Sequence, residues 1–184
     1  LQDQGKLDEA IASYEQTLLI KPDFAEAYYN TGNALRDQGK LDEAIASYEK
    51  TLLINPDYAE ACYNKGNALK DQGRLDEAIT SYKKALALKP DYAEAHNNMG
   101  NTLKEQGQLD EAIASYEQAL SIKPDYADAY YNMGNALKDQ DKLEDAIASY
   151  ERALSLKPGQ PEMYNNLGAA LQDQGKLGEA IDAY

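Results

Sequence analysis

The sequence predicts an all-α array of antiparallel helix pairs, and three observations predict it. Pro22, Pro56, Pro90, Pro124 and Pro158 recur every 34 residues without a gap. Tyr14, Tyr48, Tyr82, Tyr116, Tyr150 and Tyr184 keep the same interval, as do Leu1, Leu35, Leu69, Leu103, Leu137 and Leu171. Within one period, small and apolar residues fall at three- and four-residue spacing, the mark of a helix face. A fixed period of this length means that each unit is too small to bury its own apolar side and shelters it against its neighbours. The register gives four full units, 25–58, 59–92, 93–126 and 127–160, flanked by partial units 1–24 and 161–184, in one array spanning 1–184.

Each unit reads as two helices. The first, 25–38, places Tyr28, Thr31, Gly32 and Leu35 on one face. Asp23 and Glu26 form a capping-box variant, in which the Asp23 carboxylate is expected to accept a hydrogen bond from an orphan amide. Gly39 is expected to end the helix in a left-handed conformation. Gly5, Gly73, Gly107 and Gly175 hold the same place, and Asp141 replaces them once, at a cost of up to ~1 kcal/mol. The second helix carries Leu41, Ala44, Ile45, Tyr48, Leu52 and Ile54, with Asp42 and Glu43 near its positive amino end and Pro56 after its close. Gly32 and Ala44 let the paired helices approach, and Tyr48 fills the space beside them.

Two further departures stand out. Lys65 replaces Thr31, Met99, Met133 and Leu167, so its stem should pack while its ammonium reaches water. The junction Pro158-Gly159-Gln160-Pro161 loses the Asp cap, although Pro161 suits a first helical turn.

The period, the small Gly and Ala sites, the paired Tyr and Leu positions and the closing Pro together resemble the tetratricopeptide repeat family. The resemblance covers essentially all 184 residues. It implies an alpha-alpha superhelix: a right-handed solenoid whose concave wall is lined mainly by first helices and whose usual work is protein–protein contact.

Composition excludes several other classes. Hydrophobic residues at 43% and charged residues at 27% are ordinary for a globular protein, and there is no Pro/Gly/Ser-rich linker. A formal charge of −14 argues against non-specific nucleic-acid binding, which requires clustered cations, and disfavours an anionic membrane surface. It suits a basic or neutral partner, and solubility alone accounts for net acidity in most proteins. No stretch approaches the ~20 apolar residues of a membrane span. Cys62 is the only cysteine, so the fold does not depend on an oxidising compartment, and a cytoplasmic setting is expected. Beginning at Leu1 rather than Met, the chain reads as an excised piece, which leaves a signal peptide open.

The candidate binding chemistry lies on the second face of each first helix. Glu26, Tyr29, Asn30, Asn33 and Asp37 recur at three- and four-residue intervals and form a polar stripe, repeated from unit to unit. Asn30, Asn64, Asn98, Asn132 and Asn166 form one row, and Asn33, Asn67, Asn101 and Asn135 a second. Asn is a mediocre helix former, but its amide both donates and accepts, which suits the peptide bonds of an extended partner. The alternative is that these amides bridge neighbouring repeats or persist through duplication. The first row resembles the asparagine ladder of the O-GlcNAc transferase superhelix. Tyr29, Tyr63 and Tyr131 could stack on partner side chains or simply cover the groove floor. Arg36, Lys70, Lys104 and Lys138 have acidic neighbours and read as a solvated charge lattice.

Catalysis needs a unique constellation, whereas nearly every polar residue here is repeated. Cys62 and His96 share the site held elsewhere by Tyr28, Tyr130 and Tyr164, in adjacent repeats, and both read as core residues. No catalytic residue, metal or cofactor is expected. The leading function is a scaffold that binds an extended peptide or protein segment. The alternatives are the substrate-recruiting arm of a larger glycosyltransferase-like enzyme, or an array that self-associates end to end through an apolar face including Leu171, Leu177, Ile181 or Tyr184.

Overall fold

The computed structural model describes residues 2–183, and among these every regular element is an α-helix. The chain divides into two compact units, Leu1–Pro90 and Asp91–Tyr184. The first holds α1 (Gln2–Ile20), α2 (Ala25–Asp37), α3 (Leu41–Ile54), α4 (Ala59–Asp71) and α5 (Leu75–Leu88). There α2 pairs with α3 and α4 with α5, while α1 packs on α2 and α3 on α4. The second unit holds α6 (Ala93–Glu105), α7 (Leu109–Ile122), α8 (Ala127–Asp139), α9 (Leu143–Leu156), α10 (Pro161–Asp173) and α11 (Leu177–Ala183). Its pairs are α6–α7, α8–α9 and α10–α11, joined by contacts of α7 with α8 and α9 with α10.

One interlock sets the spacing of every complete pair. Tyr48, Tyr82, Tyr116 and Tyr150 are fully buried, and each ring lies against the glycine of the preceding helix. A Cβ on Gly32 would stand 2.6 Å from Tyr48 Cε1, and one on Gly66 would stand 2.6 Å from Tyr82 Cε1. Real carbons do not approach that closely, so only glycine admits the ring. Ala44, Ala78, Ala112 and Ala146, all at 0% exposure, complete the close approach. In the second unit Leu137, Ile147, Tyr150, Leu154, Met163, Leu167 and Leu171 form one continuous core across α8, α9 and α10.

First helices end as the sequence predicts. Gly39 has φ +75°, its N–H bonds to the Arg36 carbonyl at 2.8 Å, and the Lys40 N–H reaches back to Leu35 at 2.9 Å. These two bonds satisfy carbonyls that the helix end would otherwise orphan. Asp141 makes the same pair of bonds at φ 61°, the one non-glycine residue at positive φ among those described. The turns also join repeats: Gln38 Nε2 donates to Asp8 Oδ1 at 2.8 Å and Gln140 Nε2 to Asp110 Oδ1 at 2.7 Å.

Three expectations need correction. The N-cap of α2 is Phe24, not Asp23, and no side chain caps any first helix; Tyr58, Tyr92, Tyr126 and Gln160 are the equivalent residues. The Pro-Asp turn delays the helix by one residue, which leaves the carboxylate a position too early. Pro161 does begin α10. Gly5 does not end a helix, because α1 runs through it without a break. Leu171 is buried at 4% exposure beneath α11, whereas Leu177 and Ile181 are exposed; Leu1 and Tyr184 lie outside the described residues. Lys65 behaves as read, with its ammonium paired to Glu49 at 2.6 Å.

Two substitutions test this packing. Gly66→Ala should lower the urea-unfolding free energy by about 1–3 kcal/mol, since either the Tyr82 ring or the helix must move. Asp141→Gly should raise it by up to ~1 kcal/mol, because glycine occupies positive φ without steric strain.

Candidate functional site

The polar stripe of the first helices is a hydrogen-bonded network anchored in the core. Each buried tyrosine hydroxyl needs an acceptor, and the second asparagine row supplies it. Tyr48 donates to Asn33 Oδ1 at 2.9 Å, Tyr82 to Asn67 at 2.8 Å, Tyr116 to Asn101 at 2.8 Å and Tyr150 to Asn135 at 2.8 Å. The partners are 15 residues apart in every case.

The first row then ties one hairpin to the one before it. In the first unit, Asn64 Nδ2 donates to Asn33 Oδ1 at 2.9 Å and to the Tyr29 hydroxyl at 3.0 Å. Its Oδ1 accepts from Arg36 and from Asn67 Nδ2, both at 3.4 Å. An asparagine amide has two donor protons and two acceptor lone pairs, so all four of Asn64's are engaged. In the second unit, Asn166 Nδ2 repeats the pattern with Tyr131 at 2.8 Å and Asn135 at 3.0 Å. Asn132 instead donates to Asn97 Oδ1 at 3.0 Å, and Asn97 donates on to Asn98 at 3.3 Å. Asn97, buried at 4% exposure, takes the place that Tyr29, Tyr63 and Tyr131 hold in other repeats. Bridging between repeats, the alternative that the sequence left open, is thus made by Asn64 with Asn33 and Tyr29, by Asn132 with Asn97, and by Asn166 with Asn135 and Tyr131.

The tyrosines of the stripe are half-buried. Tyr29 stacks on Tyr58 with centroids 4.9 Å apart and leans against Tyr48 at 6.1 Å. Around them lies a lattice of ion pairs: Arg36–Asp37 at 3.6 Å, Lys104–Asp139 at 3.2 Å, Lys89–Glu60 at 3.3 Å, Lys123–Glu94 at 3.5 Å and Lys157–Asp128 at 3.3 Å. Exposed pairs of this kind contribute roughly 0–1 kcal/mol each. Sequence reading missed the lysines that follow the second helices, because their acidic partners lie 29 residues earlier.

The site shared by Tyr28, Cys62, His96, Tyr130 and Tyr164 is less uniform than expected. Cys62 is buried, and burial pushes its thiol pKa up, which suppresses the nucleophilic thiolate. Tyr28, His96 and Tyr130 are half-buried, and Tyr164 is exposed. A cationic head group lies over two of these tyrosine rings: Lys50 Nζ is 5.3 Å from the Tyr28 centroid and Arg152 Cζ 5.9 Å from that of Tyr130. A cleft of about 790 Å³ opens between α1, α2 and α3, floored by Tyr28, Thr31 and Leu35. Thr31 is the shortest residue of its row, where longer Lys, Met and Leu side chains stand in other repeats. Among the described residues, no group of His, Cys, Asp and Glu is arranged to hold a metal ion, and no helix is long and apolar enough to cross a membrane.

Stacked two-helix hairpins with a repeated face of fixed side chains define a helical-repeat scaffold. A family model described as TPR repeat matches residues 1–35, 32–73, 66–107, 100–141 and 134–175, and the chain belongs to that family. Such arrays are in general interaction modules rather than catalysts. No curated protein matches the chain by sequence. Among solved structures, a crystal structure of MamA protein is 31% identical, with a TM-score of 0.80 over 86% of this chain and 87% of that one. A MamA structure from Desulfovibrio magneticus RS-1 is 25% identical, with a TM-score of 0.80 over 86% and 90%. YrrB, described as a TPR protein with an unusual peptide-binding site, is 21% identical; it shares the fold, with a TM-score of 0.77 over 92% and 88%.

The buried hydroxyls make the network sensitive to alkali. Burial pushes the phenol pKa values of Tyr48, Tyr116 and Tyr150 well above the ordinary tyrosine range. The unfolded chain gives up these protons near pH ~10 and the folded chain does not. The stability they carry is therefore complete below that pH and declines as pH rises through and beyond it. The urea midpoint should fall above pH ~10, and Tyr150→Phe should flatten that decline while costing about 1 kcal/mol near neutrality.

Proposed function

We propose that the chain is a protein-interaction scaffold that holds an extended polypeptide along the polar face of its first helices. The observation that carries this reading is that the face is fixed before any partner arrives. Tyr29, Asn33, Asn64 and Asn67 are held by bonds to one another and to a buried tyrosine. Side chains already ordered lose little entropy on binding, so contacts made with them translate more fully into affinity. An extended strand advances ~3.3 Å per residue, and first helices ~10 Å apart would meet about three partner residues per repeat.

The partner-contacting residues in this reading are Asn30, Asn64, Asn98, Asn132 and Asn166, with Asn33, Asn67, Asn101 and Asn135 behind them. Tyr29, Tyr63 and Tyr131 supply aromatic surface. Because the amides also brace the repeats, the rings and charged groups beside them would carry much of the selectivity.

Selection of peptides from a displayed random library on the immobilised chain, followed by calorimetry, tests this. Asn64→Ala, Asn98→Ala and Asn132→Ala together should weaken capture at least tenfold, a loss of ~1.4 kcal/mol, with far-UV circular dichroism unchanged. The single variants serve if the triple one melts early. Failure to select any peptide, or undiminished affinity in the folded variants, removes the reading.

A further inference from the structure

In three repeats the acidic residue that opens the first helix is matched to a lysine 29 residues later, just beyond the next second helix. Lys89 meets Glu60, Lys123 meets Glu94 and Lys157 meets Asp128. One of these lysines also covers an aromatic ring: Lys123 Nζ lies 4.8 Å from the centroid of Tyr126, three residues on, while 3.5 Å from Glu94. The same offset from Glu26 leads to Asn55. Asn55 is too short to reach either seat, and its Oδ1 instead accepts the Asp57 N–H at 3.2 Å within its own turn.

Two groups are thereby left without their cation. Among the described residues, Glu26 makes no ion pair. Beside it stands the stacked pair of Tyr29 and Tyr58, at 4.9 Å and 28° between planes. Tyr29 is one helical turn from Glu26, and the Tyr58 phenol pKa is pushed up first by burial and then by Tyr29, Glu26 and Glu60. The neighbouring lysine, Lys21, lies over Phe24 at 4.9 Å. A carboxylate facing aromatic rings recognises an ammonium or guanidinium through a charge-assisted hydrogen bond and cation–π attraction. The ammonium of Lys123, held between Glu94 and Tyr126, displays that geometry within this same chain.

We propose that Glu26, Tyr29 and Tyr58 form a subsite for a lysine or arginine side chain of the bound polypeptide, opened by asparagine at position 55. The inference rests on the peptide-holding role of the first-helix face. The net charge of −14 agrees in sign with a basic partner.

Asn55→Lys is the informative variant, because it restores the residue type of the other repeats and carries little risk to folding. Peptides selected on the natural chain should share a basic residue at one fixed position. Replacing that residue by norleucine should weaken binding roughly five- to tenfold. Asn55→Lys and Glu26→Gln should each abolish that preference while peptide capture itself persists. Selected peptides without a fixed basic position, or a preference surviving in both variants, would overturn the subsite and leave the scaffold reading standing. If no peptide is selected, the scaffold reading fails, and titration with N-acetyl-arginine amide still judges the subsite. The Tyr29 and Tyr58 ring resonances should then shift in the natural chain and not in Asn55→Lys; equal responses, or none, would overturn it.

Discussion

The arrangement of this chain depends on a tyrosine ring pressed against a glycine backbone. The contact leaves no room for a methyl group, so it fixes how closely the two helices of a hairpin lie. It also carries a hydroxyl into a place where water cannot serve as acceptor, and a buried polar group without a partner is costly. Asn33, Asn67, Asn101 and Asn135 meet that need. Their Oδ1 atoms have a second lone pair, and Asn33 and Asn135 use it to accept from the asparagine of the following repeat. What reads as a surface stripe is thus the outer end of a chain of obligations that begins in the core.

This explains which parts of the structure were legible in the sequence. Periodicity reports what is repeated, and the hairpins, the glycine turns and the buried tyrosines are all repeated. Helical spacing reports which face a residue occupies, and the stripe from Glu26 to Asp37 does share one. It does not report which atoms meet across repeats. Asn64 finds Tyr29 at a separation of 35 residues and Asn33 at 31, and neither can be read from the pattern of one helix. The capping box failed for a related reason. Asp23 and Glu26 have the right spacing, but the turn before them decides which residue stands at the helix entrance, and that residue is Phe24. Gly5 shows the same limit: a glycine ends a helix only where neighbouring packing demands a reversal, and α1 has no such demand there.

In a duplicated array, a group present in every repeat is first of all a candidate for holding repeats together. The paired asparagines fit that description, and Asn64 has no hydrogen-bonding capacity left unused. Differences between repeats carry the more individual information. Asn97 replaces a tyrosine and keeps the bridge to Asn132 by substituting an amide oxygen for a phenol oxygen. Thr31 replaces a longer side chain at the floor of the outer cleft. Asp141 accepts backbone strain that glycine avoids elsewhere.

The ion-pair lattice sharpens that argument. Where an acid and a lysine are matched, the surface is locally neutral, and a charged partner gains little by displacing an existing pair. Specific attraction therefore concentrates where the match lapses. Asn55 is such a lapse, and it stands three residues before Tyr58, which stacks on Tyr29. With the proposed subsite, one missing lysine in an otherwise regular lattice would give the array a polarity and a register that its repetition alone would lack. A partner whose backbone could slide along equivalent repeats would be held at one position by a single charged side chain.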